Sequence, residues 1–318
     1  MILVTGGAGY IGGITAEQLL DRGYEVCVLD NLSRGYRDAV PSGAEFVEAD
    51  LGDREALTKV FSDYPIRAVM HFAAYALVGE SMEQPNLYFR NNFVHALNLL
   101  EAAQRGGAER FIFSSTCAIF GDKVAPPIAE DAPKAPINPY GESKLAFEKA
   151  LEWTQRLQGL PYFALRYFNA CGATAHRGER HEPETHLIPL VLEAANGERK
   201  SIKVFGNDYP TPDGTCIRDY VHVLDLAAAH ICALEAPAEL GGGYNVGVGR
   251  GDSVRTVIDT ARRVTGRDIP EEAAERRPGD PPELVADPRK IQSKLGWKAQ
   301  YSLEDAIRSA WEFKLRNA

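Results

Sequence analysis

The stretch ILVTGGAGYIG, residues 2–12, decides the fold. Ile2–Thr5 is a short apolar run that passes straight into glycines at positions 6, 7, 9 and 12. Ala16–Leu20 then reads as a helix ending at the turn Arg22–Gly23, and Glu25–Leu29 (EVCVL) reads as a second strand closed by Asp30. A strand, a glycine turn, a helix and a second strand within about thirty residues make a βαβ unit, because parallel strands need a crossover of that length.

Outward from that unit the alternation repeats. Phe46–Val47, Ala68–Phe72, Arg110–Ser115 and Tyr162–Tyr167 are predicted strands, and Arg54–Phe61, Leu87–Gln104 and Glu142–Gln158 are predicted helices. Apolar strands alternating with helices imply a parallel sheet covered on both faces, here an α/β, Rossmann-like, doubly wound fold. From residue 173 the character changes. Residues 173–186 (ATAHRGERHEPETH) are polar, 206–214 (GNDYPTPDG) are rich in turn formers, and prolines recur over 278–288. Such segments close over a ligand more readily than they wind a second sheet. The expected division is a dinucleotide-binding unit over 1–172, to which 216–235 return, and a smaller, mainly substrate-binding α/β unit over 173–318.

Composition removes several classes of function. With 318 residues, 45% of them hydrophobic and 25% charged, the chain has the make-up of a globular protein. Its formal net charge of −9 argues against a nucleic-acid or anionic-membrane partner, which wants a basic footprint. The five cysteines (27, 117, 171, 216 and 232) are odd in number and contain no C-x-x-C, as reduced thiols in the cytoplasm would be. The opening MILVTGG has no basic leader and no run of apolar residues long enough to span a membrane follows, so neither a signal peptide nor a membrane span is expected.

Gly6, Gly9 and Gly12 form G-x-x-G-x-x-G between a strand and a helix. That turn lets backbone N–H groups and a helix N-terminus face a pyrophosphate. Asp30, 18 residues beyond Gly12, stands where a carboxylate accepts both adenosine ribose hydroxyls and repels a 2′-phosphate, which favours NAD over NADP. Arg34 pulls the other way, although a solvated loop arginine is the plainer reading. Asp50-Leu51 follows the third strand, where the carboxylate either meets an adenine amino group or caps the next helix.

The chemistry is concentrated in Tyr140-Gly-Glu-Ser-Lys144. Tyr and Lys four apart on a helix share one face. A phenol acting as a base near neutral pH needs its anion stabilised by about 4 kcal/mol. One cation at about 5 Å in an effective dielectric near 20 supplies roughly 3 kcal/mol. Lys144 alone falls short, and an oxidised nicotinamide would supply the rest. Ser114-Ser115-Thr116 ends a predicted parallel strand 24 residues before Tyr140. Ligands of open α/β sheets sit at such strand ends, so the Thr116 hydroxyl can reach a reacting sugar hydroxyl.

The runs TGGAGYIG (5–12), DNLSRG (30–35), HFAAYALVGES (71–81), Asn91-Asn92, SSTCAIFG (114–121), PYGESK (139–144), RYFNACGA (166–173), FGNDYPTPDGTCIRDYVHV (205–223) and RRPGDPPELVAD (276–287) resemble NAD-dependent sugar-nucleotide epimerases of the extended short-chain dehydrogenase/reductase family. The resemblance covers nearly the whole chain, and the last two runs are its most specific parts. It implies that Tyr10 and Ile11 meet the cofactor's pyrophosphate, Asp30 and Asn31 its adenosine ribose, and Asp50 and Leu51 its adenine. Phe72, Ala73, Ala74 and Asn91 would line the cofactor groove, and Phe168 would flank the nicotinamide. Tyr140 would be the base, Lys144 its activator and ribose partner, and Thr116 the third member. Asn169, His186, Leu187, Phe205, Arg218, Arg277 and Asp280 would hold a UDP-sugar, the arginines through its diphosphate.

The implied reaction is reversible C4 epimerisation of a UDP-hexose, UDP-glucose or UDP-galactose, through a 4-keto sugar with tightly bound NAD. Epimerisation of a UDP-N-acetylhexosamine, pentose or uronate nucleotide uses the same machinery and stays open. A 4,6-dehydratase needs a carboxylate pair beside the threonine, where Cys117 and Ala118 stand instead. A silent dinucleotide sensor or scaffold is the alternative of a different class. Three positions depart from patterns seen among members: Ala76 for a lysine, His186 for an asparagine, and Leu284 for a tyrosine that walls the sugar's C2 side. His176, His181 and His186 lie five apart without helical pairing or cysteine support, so no metal is expected. The resemblance also implies a homodimer packed through the helices near 87–104 and 142–158.

Overall fold

The computed structural model describes residues 1–277 and 279–317. Pro278, inside the RPGD segment, and Ala318 lie outside them. Strand β1 (Ile2–Thr5), wholly buried, leads through the glycine turn into helix α1 (Tyr10–Asp21), then β2 (Val26–Asp30), β3 (Glu45–Glu48), α2 (Arg54–Asp63) and β4 (Ala68–His71). Helix α1 starts six residues before the expected Ala16, because Tyr10 and Ile11 pack inward with Ile14 although Gly12 and Gly13 lower helix propensity. Asp53 caps α2 by accepting from the N–H groups of Glu55 and Ala56, so Asp50 is free of that duty.

Next come α3 (Val78–Glu83), α4 (Pro85–Phe89) and α5 (Ala96–Arg105). The single long helix expected over 87–104 is interrupted by a π-helical turn, Arg90–His95, which puts Asn92 in the interior. Such turns recur at functional sites. Strand β5 (Arg110–Thr116) is followed by α6 (Pro139–Gln158), β6 (Tyr162–Tyr167) and the short β7 (Asn169–Cys171). Later elements are α7 (Leu187–Ala195), β8 (Ile202–Phe205), β9 (Ile217–Arg218), β10 (Tyr220–His222), α8 (Val223–Glu235) and β11 (Gly242–Val246). The chain closes with β12 (Asp252–Ser253), α9 (Val254–Thr265), β13 (Glu271–Ala274), β14 (Glu283–Leu284), α10 (Arg289–Leu295) and α11 (Leu303–Arg316).

Seven strands form the main sheet in the order β11-β6-β5-β4-β1-β2-β3, every pair parallel. Strand order reverses between β1 and β4, which opens the crevice at the carboxyl end of the sheet where ligands of this architecture settle. One apolar layer joins α1 and α8 to one face, through Val4, Val28, Leu226 and Ala229; the other face carries Leu57, Leu99, Phe147 and Leu151. Strand β11 is the element the sequence hides: GGYNV opens with two glycines, which disfavour a strand in isolation, yet it pairs with β6 from Gly242 to Val246. The remaining short strands pair among themselves, β10 on β7, β13 on β8, and β9 between β12 and β14. They pack around α7, α9 and α11 through Val191, Val257, Ile258 and Ile307.

Candidate active site

The cleft begins at the glycine turn. Gly6 has φ +74°, and a Cβ there would come within 2.5 Å of the Ala73 backbone nitrogen. At Gly12 a Cβ would lie 2.3 Å from the Gly6 carbonyl oxygen, so only glycine lets α1 come this close to β1. Gly9, the N-cap of α1, has neither problem: its φ is −91° and a Cβ would meet only the Gly6 oxygen, at 3.2 Å. Its lack of a side chain leaves the helix N-terminus uncapped and open to the cleft. An uncapped N-terminus of a twelve-residue helix fits the pyrophosphate of a dinucleotide.

Asp30 ends β2, 8% exposed, and its carboxylate accepts from the N–H groups of Ala8 at 3.0 Å and Leu32 at 2.9 Å. Burial raises its pKa while these two bonds lower it. The acid thus ties the glycine turn to the loop after β2. Asn31 donates to Asp50 at 2.5 Å, which also accepts from Gly52 N–H at 2.6 Å. Arg34 is turned to Glu80 at 2.6 Å, over the ring of Tyr75, so its charge is already partnered.

At the far wall, β5 delivers Thr116 and the first turn of α6 delivers Tyr140 and Lys144. Asn138 caps α6, accepting from Gly141 N–H at 2.8 Å, and Pro139 occupies the first helical position. Lys144 is 3% exposed; its Nζ donates to the Ser114 carbonyl at 2.9 Å and lies 6.0 Å from the Tyr140 ring centre. Burial pushes Lys144 down to about 7, with Glu148 countering. Burial likewise pushes the Tyr140 phenol up to about 12, against a lowering hydrogen bond with Thr116. In the protein alone, burial disfavours the charged form of both groups, the Lys144 ammonium and the Tyr140 phenolate.

Behind these groups is a network that spacing gave no reason to expect. Arg166 on β6 makes a bidentate pair with Glu148, one turn beyond Lys144, at 3.0 and 2.7 Å, and Ser115 donates to the same carboxylate at 2.5 Å. Both charged side chains are 6% exposed. Asn92, delivered by the π turn, grips the backbone of Tyr75 at both ends and donates to Ser143 at 3.3 Å. Asn91 donates to its side-chain oxygen at 3.0 Å. The only sequence signal for either network was the Asn91-Asn92 pair.

All the expected site residues line one cleft of ≈ 1800 Å³. Its lining includes the residues expected at the dinucleotide, Gly6, Gly9, Tyr10, Ile11, Gly12, Asp30, Asn31, Asp50, Leu51, Phe72, Ala73, Ala74 and Asn91, and those expected at the reacting centre, Thr116, Tyr140, Lys144 and Phe168. The same lining includes the residues expected at the nucleotide sugar, Asn169, His186, Leu187, Phe205, Arg218, Arg277 and Asp280. There Arg218 pairs with Asp280, which also takes a contact from Cys216 at 3.7 Å, and Arg277 lies 4.1 Å over the Phe205 ring. Leu284 packs with Ile119, Phe120 and Ile128 rather than standing free. The loop over 173–186 is anchored: Arg177 pairs with Glu17 and donates to the Ala39 carbonyl, and Arg180 pairs with Asp38 at 2.6 Å. Within that loop, His181 and His186 converge with Glu179 and Glu184, an arrangement that sequence spacing does not reveal.

A family model described as "NAD dependent epimerase/dehydratase family" matches residues 2–247. The UDP-glucose 4-epimerase of Halalkalibacterium halodurans is 48% identical over 98% of this chain and 95% of its own. Among solved structures, UDP-glucose 4-epimerase from Brucella ovis in complex with NAD is 47% identical, with a TM-score of 0.94 over 98% of both chains. The Bifidobacterium longum enzyme in complex with NAD+ and UDP is 35% identical, with a TM-score of 0.94 over 99% of this chain and 98% of that one.

Proposed function

The chain belongs to the NAD dependent epimerase/dehydratase family, and from that premise we propose that it inverts C4 of a UDP-hexose, interconverting UDP-glucose and UDP-galactose. The observation that carries this reading is the meeting of Thr116, Tyr140 and Lys144 at the junction of a cleft with the glycine turn at one end and two arginines at the other. NAD is the cofactor. When bound, its nicotinamide supplies reversible hydride exchange with C4 through a 4-keto sugar, with no net redox, and in its oxidised form a positive charge.

The chain's own residues do the rest. Tyr140 takes the proton of the C4 hydroxyl, Thr116 hydrogen-bonds the same oxygen, and Lys144 holds positive charge against the phenolate. Arg218, oriented by Asp280, and Arg277 grip the diphosphate, with Asn169, His186, Leu187 and Phe205 around the nucleotide. Anchoring through the nucleotide leaves the sugar free to turn while keeping it in the cleft. The sheet and its helices hold the dinucleotide, and the segments after 172 that do not rejoin them hold the nucleotide sugar. Leucine at 284 in place of a bulkier tyrosine is compatible with a wider range of sugars.

A homodimer fits the surface: Phe89 and Val94 on the helix broken by the π turn are exposed, as are Trp153 and Leu157 on α6, at 55% and 71%. The cytoplasm fits five free cysteines, and no helix among the described residues is long and apolar enough to cross a membrane.

The test is incubation of the purified protein with UDP-galactose, UDP-N-acetylgalactosamine and UDP-xylose in separate reactions, with products identified by NMR. Formation of UDP-glucose from the first is expected. Failure to convert any of them, with NAD still bound, would leave a sensor or scaffold.

A further inference from the structure

The geometry points to a structural divalent-metal site, with zinc the expected ion, in the loop that leads into α7, formed by Glu179, His181, Glu184 and His186. One donor atom from each of the four lies within 4.8 Å of the others. Four N and O donors about 2.0–2.1 Å from a tetrahedral zinc stand about 3.3–3.4 Å apart. Here the His181 and His186 Nδ1 atoms are 2.9 and 2.8 Å from Glu179 Oε1, His186 Nδ1 is 2.9 Å from Glu184 Oε1, and His181 Nδ1 is 4.0 Å from Glu184 Oε2. The three shorter contacts are at hydrogen-bond distance and the fourth reaches the other Glu184 oxygen, so an ion would spread the closer donors by about half an ångström to the tetrahedral edge.

Charge supports the same reading. Among the described residues neither glutamate pairs with a lysine or arginine; the basic side chains they meet are the two imidazoles. Their side chains are 9% and 11% exposed. Two shielded carboxylates with two neutral imidazoles carry a charge of −2, which a divalent cation cancels. Glu184 Oε1 is held by the N–H groups of Thr185 and His186, both at 2.7 Å, which leaves Oε2 as the free donor. All four positions would be filled by protein, as in zinc sites that stabilise structure rather than catalyse. The ion would fasten the loop, already tied to α1 through Arg177 and Glu17, to the N-cap of α7 at His186. His176 is exposed and takes no part.

The site goes beyond the epimerase reading and is tested without it. Tag-free protein stripped with chelator, given equimolar zinc and gel-filtered should retain close to one zinc per chain by mass spectrometry. Its melting temperature should rise by several degrees. Cobalt in place of zinc should give tetrahedral visible bands with no thiolate charge transfer, which separates this site from the five cysteines. Glu179→Gln and His186→Gln should each lose most of the bound metal. Zinc lost on filtration, an unchanged melting temperature, a thiolate band, or variants that load like the parent would overturn the proposal. The parent titration decides even if a variant does not fold.

Discussion

Tyr140 shows how a residue can be placed for a reaction and yet be unready for it. Its phenol is pushed up to about 12 by burial, and the neighbouring ammonium, pushed down to about 7, faces the Ser114 carbonyl. On the proposed reading, a phenol buried in this way gains its charge when the positive charge of an oxidised nicotinamide enters the cleft. Tyr140→Phe should lower turnover by about two to four orders of magnitude, the usual worth of a positioned acid–base group. Bound NAD, read by its release on denaturation, should be unchanged. Asp30 makes the opposite case, a charge in use before any ligand arrives, through its bonds to Ala8 and Leu32. On the proposed reading, Asp30→Asn removes a charge that would repel a 2′-phosphate. NAD affinity of cofactor-free protein should fall about tenfold, or ~1.4 kcal/mol, and the gap between NAD and NADP should narrow in paired calorimetric titrations.

At the level of elements, the cap of α6 links stability to catalysis. Asn138 fixes the first turn, and Tyr140 is the second helical residue after it. Asn138→Ala should cost about 1 kcal/mol, within the range for lost caps, and lower kcat more than KM, because the base moves while the nucleotide grip does not. Urea unfolding and steady-state kinetics on the same preparation check both parts. The pair behind the helix is stiffer. Glu148→Ala strands Arg166 in the interior, and a broken buried pair costs about 3–5 kcal/mol, so a much earlier unfolding midpoint is expected. These two cases also mark what could be read from sequence. Tyr140, Lys144, Thr116 and the glycines were legible because each obeys a local rule of spacing, strand end or turn. Arg166–Glu148 and the Asn92 clasp were not, since they join residues that only the parallel register of β5 and β6 and a π turn bring together. Strand β11 was lost for a related reason: Gly242 and Gly243 carry no apolar signal, and the neighbour β6 supplies the pairing that makes them strand.

Across the whole molecule, α8 is the element that binds the later part of the chain under the main sheet, and His230 sits at that join. It is fully buried, its Nδ1–H donates to the Leu226 carbonyl at 2.8 Å, and its ring lies 4.5 Å from that of Phe72 and 5.8 Å from that of Tyr167. Among the described residues its other nitrogen has no partner, and burial pushes the group down to about 4 against the raising bond to Leu226. In the unfolded chain the same imidazole takes up its proton below about 6.5. Between those values the unfolded state binds more protons, so stability rises with pH there and is lost as pH falls. The loss from this group alone should be on the order of 3 kcal/mol by pH 4. Other buried groups titrate in the same range, including His222, pushed down to about 4, and Asp219, pushed up to about 6 with the opposite sign. The total curve therefore does not isolate His230, whereas a comparison with His230→Phe does. Whatever the offset between the two proteins at pH 7, the difference in their unfolding free energies should be flat above pH 6.5. Below it, the difference should tilt steadily toward the variant, as read by urea titrations at a series of pH values. A difference that stays constant down to pH 4 would mean that the join between α8 and the sheet admits water, and that the histidine is charged there at no cost.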